Sequence, residues 1–191
     1  MYSYITSKTT KREVNSLKLE TSKLSKVSNV LPFRRLNVEE AIPYKNCIPL
    51  FDISAAAGRF EETKLADNFE WVELNKPFKY GADYFVCKVV GESMNKVIPN
   101  GSWCLFRKDP GGTRNGKIVL VRQRNVQDTE FGNGFTVKIY ESKKSIGSEG
   151  WQQDEIILHS KSFSNEFSDL RFVGDDLLDF KVIGEFVEVL K

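Results

Sequence analysis

Histidine is nearly missing: the chain of 191 residues has one, His159. Chemistry that relies on imidazole would have only this side chain, and a lone histidine in a strand pattern is more often a half-exposed ring held by its own hydrogen bonds. No apolar run reaches the roughly 18 residues that a membrane span needs, and no secretory leader opens the chain. The expectation is a cytoplasmic protein that does not engage a membrane. Cysteine is scarce and odd in number, with Cys47, Cys87 and Cys104 and no C-x-x-C pair. Reduced thiols are expected, with Cys87 and Cys104 in strand patterns that mark them as core. Two capped amphipathic helices joined by a short turn are also missing, which excludes a helix-turn-helix reader of DNA. There is no internal repeat and no low-complexity tract beyond the first 30 residues. No cofactor and no metal are expected.

What is present is enough for an ordinary core: 40% apolar residues, 14 Phe and 3 Trp. That length makes one domain with a tail, or two very small domains. The net charge of +2 hides an asymmetry. Residues 1–36 carry Lys8, Lys11, Arg12, Lys18, Lys23, Lys26, Arg34 and Arg35 against Glu13 and Glu20, about +6, which leaves about −4 for the remainder. Val14, Leu17, Leu24 and Val27 could form a thin apolar stripe, but Thr21 interrupts it and no cap supports it. Residues 1–47 therefore read as a mobile basic arm followed by a linker with Pro32 and Pro43. Such an arm could also touch DNA or a protein partner. Residues 48–191 read as the folded domain.

Within that domain, strand patterns dominate. Tyr84 to Val90 is an apolar, β-branched run, Trp103 to Phe106 a second, and Lys117-Ile-Val-Leu-Val-Arg122 a buried strand after the Pro110-Gly111-Gly112 turn. Phe135-Thr-Val-Lys-Ile-Tyr140 alternates, with Phe135, Val137 and Ile139 on one face and Thr136, Lys138 and Tyr140 on the other. Asn133-Gly134 is the strongest turn dipeptide, closing a hairpin-type loop from Asp128. Residues 143–153 read as a polar loop. Glu155 to His159 and Phe180 to Leu190 are further strands, and residues 60–80 read as irregular connector with an edge strand. The fold class is mostly β, a partly rolled sheet with few helical patterns.

Between the first two of these strands lies Gly91-Glu-Ser-Met94, followed by Ile98-Pro-Asn-Gly101. Gly91 lets the backbone turn without a Cβ penalty and leaves the Ser93 hydroxyl open. Taken alone this is a common kind of turn. A serine hydroxyl is a poor nucleophile until a base takes its proton, and a lysine kept away from water can be that base. Lys138, in a strand of alternating apolar residues, is a candidate, although a strand lysine is more often solvated. Upstream, Ser54-Ala-Ala-Ala-Gly-Arg59 is a run of small residues that would fit an extended peptide close to a nucleophile. A helical turn at Ala55–Ala57 is the competing local reading.

Together the Gly91-Glu-Ser93-Met turn, the Ile98-Pro-Asn-Gly101 turn, Thr136-Val-Lys138 and Ala57-Gly58 resemble the LexA/UmuD-like self-cleaving serine peptidases, over roughly residues 48–190. The resemblance implies a rolled β-sheet like the LexA C-terminal domain and a Ser93–Lys138 dyad. It also implies a scissile Ala57–Gly58 bond, an oxyanion site at the backbone of Ser93 and Met94, and a homodimer. Cleavage would be induced by a RecA–single-strand-DNA filament, in a DNA-damage or defence response. The spacing of about 36 residues from Ala57 to Ser93 suits a loop that reaches its own nucleophile. Signal peptidases also use Ser and Lys, but they are lipid-anchored. Without a helix-turn-helix the chain is similar to the UmuD type rather than to a repressor. Two features depart from the family: Gly101-Ser102 stands where many relatives have Gly-Asp, and the hairpin before Lys138 looks long. The alternatives are a non-cleaving module of the same fold whose arm binds DNA or protein, and a peptidase that acts on other chains.

Overall fold

The computed structural model describes residues 31–51, 69–108, 111–123, 134–147 and 150–191. The Ala57–Gly58 pair expected to be scissile, and most of the loop before Gly134, lie outside the described residues. Ten strands are present among them. They are β1 (Phe33–Leu36), β2 (Ile48–Phe51), β3 (Phe69–Leu74), β4 (Tyr84–Val89), β5 (Ser102–Lys108) and β6 (Ile118–Arg122). After these come β7 (Phe135–Gly147), β8 (Gly150–His159), β9 (Leu170–Val173) and β10 (Lys181–Val189), with one 3₁₀ turn at Gly174–Leu177. The strands form one mixed sheet in the order β1-β3-β2-β4-β5-β10-β6-β7-β8-β9. Only β2 and β4 run parallel. The mostly β architecture expected from the alternating runs is the architecture observed.

Period-two alternation sorts the central side chains. Phe85 and Cys87 of β4, Cys104 and Phe106 of β5, Leu120 of β6, and Phe135 and Val137 of β7 share one apolar cluster with Met94 and Ile98. Their neighbours in sequence go elsewhere. Val86 and Leu105 join Phe33, Ile48, Leu50 and Val72. Val119, Val121 and Tyr140 join Ile156, Leu158 and Phe172. A central sheet covered on both faces explains why these strands read as near-continuous apolar runs. Each fully buried Leu, Ile or Phe contributes about 1.5–3 kcal/mol of transfer free energy.

Strand β10 passes between β5 and β6, and Gly184 marks the crossing. A Cβ there would lie 2.8 Å from the Arg107 carbonyl oxygen and 2.9 Å from the Phe85 ring. The β10–β6 pairing slips by a residue between Val182 and Gly184. Glycine is therefore required for close approach of backbone and ring.

Two stretches differ from the sequence reading. The first is residues 33–36, within the stretch read as linker. They pair with β3, Phe33 against Leu74, and Phe33 is buried. Pro32 precedes the strand and costs it no ladder hydrogen bond. This makes β1 the outer strand and places β3 inside it, rather than at the edge. The second is residues 143–153, read as a polar loop, which are strand. β7 and β8 continue as a two-stranded ribbon out to Gly147 and Gly150. Polar cross-strand contacts stabilise it instead of burial. Lys143 Nζ donates to Glu155 at 2.8 Å, and Ser145 Oγ to Asp154 at 2.8 Å. Apolar periodicity cannot reveal a strand of this kind.

Candidate active site

Ser93 sits in the turn that joins β4 to β5. Gly91, at φ 124°, adopts a backbone conformation closed to side chains and redirects the chain at the end of β4. The turn then closes through hydrogen bonds of its own. Ile98 N–H donates to the Met94 carbonyl at 2.8 Å, and Gly101 N–H to the Val89 carbonyl at 2.9 Å. The Glu92 carboxylate accepts from Asn95 Nδ2 at 2.7 Å and from Asn100 Nδ2 at 2.9 Å, while Asn100 Oδ1 accepts from Gly91 N–H at 2.9 Å. These amides, Asn95 first and then Asn100, hold the Glu92 carboxyl below its ordinary range. Ser102 donates its hydroxyl to the Pro99 carbonyl at 2.6 Å and so completes the same turn.

Met94 and Ile98 anchor the turn from below in the central cluster. A second strap crosses it from the chain after β8. Lys161 N–H donates to the Ser93 carbonyl at 2.7 Å, and Lys96 N–H donates to the Lys161 carbonyl at 3.1 Å. Phe163 N–H donates to Asn95 Oδ1 at 2.8 Å. Sequence reading did not single out Glu92, Asn95, Asn100 or this strap. The Glu between Gly91 and Ser93 and the Asn100-Gly101 pair are the signals that point to the closed turn. The strap leaves none, because its bonds are made by backbone.

Lys138 comes from β7. Its Nζ lies 2.6 Å from Ser93 Oγ and 2.9 Å from Thr136 Oγ1, two residues earlier on the same side of the strand. Ser93 is 2% exposed, Thr136 0% and Lys138 3%. The long aliphatic stem is buried with it, and the amine ends on two hydroxyls. Two residues 45 apart in sequence are thus brought into hydrogen-bond contact away from water. Met94 N–H makes no hydrogen bond among the described residues.

His159 is engaged elsewhere. Its Nδ1 lies 2.7 Å from Asp169 and its Nε2 lies 2.9 Å from Glu141. Burial pushes the ring's pKa down, but the hydrogen bonds to Asp169 and Glu141 outweigh it and hold the pKa above its ordinary value. Both ring nitrogens are occupied by carboxylates, so the imidazole serves the β7–β9 surface. Cys87 and Cys104 face each other across β4 and β5 as free, buried thiols. Burial pushes the Cys104 thiol up to about 12 and the Cys87 thiol well above its ordinary value, which leaves both as core side chains. No described helix is long and apolar enough to cross a membrane.

A family model described as Peptidase S24-like matches residues 49–146, just over half of the chain. The chain belongs to that family. As a Peptidase S24-like chain it is a serine peptidase of the LexA/UmuD type, and the matched span contains both Ser93 and Lys138. No curated protein matches the chain in sequence.

Proposed function

We propose that this Peptidase S24-like chain is a self-cleaving serine peptidase with a Ser93–Lys138 dyad, cutting its own Ala57–Gly58 bond. The observation that carries the reading is the 2.6 Å separation of Ser93 Oγ and Lys138 Nζ, with both side chains buried. In the unprotonated state the Lys138 amine takes the proton from Ser93 Oγ as the oxygen attacks the Ala57 carbonyl carbon. Met94 N–H, with that of Ser93, stabilises the oxyanion of the tetrahedral intermediate. The Lys138 ammonium then gives its proton to the Gly58 nitrogen, the C–N bond breaks, and an Ala57–Ser93 ester remains. Water hydrolyses the ester with Lys138 again accepting a proton and returning it to Ser93. Thr136 Oγ1 fixes the amine throughout. Because the substrate is the chain's own loop, proximity takes the place of binding affinity.

Removal of the basic arm at this bond would then remodel an interaction surface, in the manner of a UmuD-like regulator of a DNA-damage or defence response. The same reading includes a homodimer in the cytoplasm, induction by a RecA–single-strand-DNA filament, and DNA or protein as the partner of the arm.

The test is incubation of the purified chain at mildly alkaline pH, with and without the filament, followed by gel analysis. Fragments split between Ala57 and Gly58, absent from Ser93→Ala and Lys138→Ala, are the expected result. Cleavage of a Ser93→Ala chain by added wild type would reassign the activity to other chains. An intact wild type under both conditions would leave the non-cleaving module whose basic arm binds DNA or protein.

A further inference from the structure

A second buried polar group lies on β7, on the same side as Lys138 and two residues beyond it. Tyr140 is 4% exposed, and it lines an open cavity of about 580 Å³. The loop before β6 supplies Gly112, Arg114 and Asn115 to this cavity, and the β7–β8 ribbon supplies Lys144 and Gln153. The Tyr140 phenol oxygen accepts a hydrogen bond from Gln153 Nε2 at 2.8 Å. Its own O–H meets no acceptor among the described residues. A buried donor that faces an open cavity is free to meet an acceptor there, whether water or a group on a bound ligand.

The surrounding charge says what kind of partner. Arg114 and Lys144 bring two positive charges, and none of the described lining residues is acidic. Lys143, the next residue, pairs with Glu155, whereas Lys144 makes no ion pair among the described residues. Asn115 is held in place by accepting from Ser142 N–H at 2.9 Å. The walls therefore offer donors and cations to an acceptor-rich anion. A volume of about 580 Å³ exceeds what one carboxylate side chain fills and lies in the range of small-molecule sites.

We propose that this cavity binds a small phosphorylated ligand of nucleotide size, with the Tyr140 hydroxyl donating to a phosphate oxygen and Arg114 and Lys144 neutralising its charge. The site goes beyond the peptidase reading and stands without it, since its ligand is recognised by residues other than Ser93 and Lys138. Its place on β7 puts the ligand two residues from the dyad lysine.

The experiment is calorimetric titration of the full-length Ser93→Ala chain, which stays intact whatever the wild type does, with sodium pyrophosphate and separately with ADP at fixed ionic strength. Saturable binding at one site per chain is expected. Tyr140→Phe, which keeps the ring and removes only the hydroxyl, should weaken it about tenfold, as expected for a hydrogen bond to a charged group. Lys144→Gln, an exposed change that leaves the core untouched, should weaken it as well. Absence of saturable binding by either probe overturns the proposal. So does unchanged affinity in both variants, or equal displacement by sulfate, which would mark a merely basic surface. A tetraglutamate peptide that binds where pyrophosphate does not would assign the site to a polypeptide carboxylate and overturn the phosphate source. None of these readouts depends on cleavage, so failure here is distinct from failure of the peptidase reading.

Discussion

The two halves of β7 carry lysines with opposite fates. Lys138, in the first half, is buried and ends on Ser93 and Thr136. Lys143, in the second, has a side chain 58% exposed and pairs with Glu155. The residue type and strand are the same, and the difference lies in the neighbours. Residues 135–139 pair with β6 on one side, and Ile139 also pairs with β8 on the other, whereas from Tyr140 onward β8 is the only paired strand. Where β7 pairs with β6 beside the buried apolar clusters, water is excluded and an amine must find hydroxyls. Where the ribbon projects, a lysine is solvated and its ion pair is worth little. A strand can thus hold a buried amine and an ordinary surface cation within five residues.

That contrast can be broken at either end. The largest effect is expected from Lys138→Arg, which keeps the length and the positive charge but has no accessible neutral form. Self-cleavage should fall by a factor on the order of 1,000 or more, since general-base catalysis and nucleophile activation are lost together, as read from fragment formation over time. Next, Gly184→Ala strikes the crossing of β10 with β5 that backs the central cluster. The 2.8 and 2.9 Å contacts it would create should cost about 1–3 kcal/mol in urea unfolding, the usual penalty of overpacking. A smaller effect should follow from Thr136→Val, which preserves shape and strand propensity but removes one of the two hydroxyls on the amine. Cleavage should slow about tenfold with the melting temperature nearly unchanged.

The smallest effect belongs to Lys143→Ala. Its melting temperature should stay within about 2 °C of wild type at neutral pH. The sign with pH is fixed by Glu155, whose carboxyl is held below its ordinary value by Lys143 first and Arg171 second. A depressed carboxylate contributes its stability above the unfolded value and loses it as pH falls through the folded value. The small difference between wild type and Lys143→Ala should therefore vanish in acid. Persistence of the difference there would point to the ribbon's shape rather than the ion pair.

Much of the site was legible because its residues are placed by short-range rules. Gly91 before Ser93 marks a turn that only glycine makes easily, and Thr136-Val-Lys138 fixes by alternation which side chains share a side of β7. What alternation cannot tell is whether that side faces water, because this depends on β6 and β8, which come from distant parts of the chain. The strand patterns of β4, β5 and β6 were likewise readable from buried apolar runs, and that of β10 from its alternating, half-buried apolar residues. The β7–β8 ribbon was not, since Lys143, Ser145, Asp154 and Glu155 hold it by polar pairs. Strand β1 was hidden by the prolines around it, although Pro32 stands just outside the ladder. The Glu92–Asn95–Asn100 network escaped notice because each residue is common in turns, and only their meeting in space gives them a role.

The central claim is that the amine touching Ser93, and no other on that strand, is the base. It is tested most directly by following the intact mass of the wild-type chain, Lys138→Met and Lys143→Met through one incubation at mildly alkaline pH. The account predicts that wild type and Lys143→Met split between Ala57 and Gly58 at similar rates, while Lys138→Met keeps its full mass. Equal splitting of Lys138→Met, or full mass retained by all three, would contradict it.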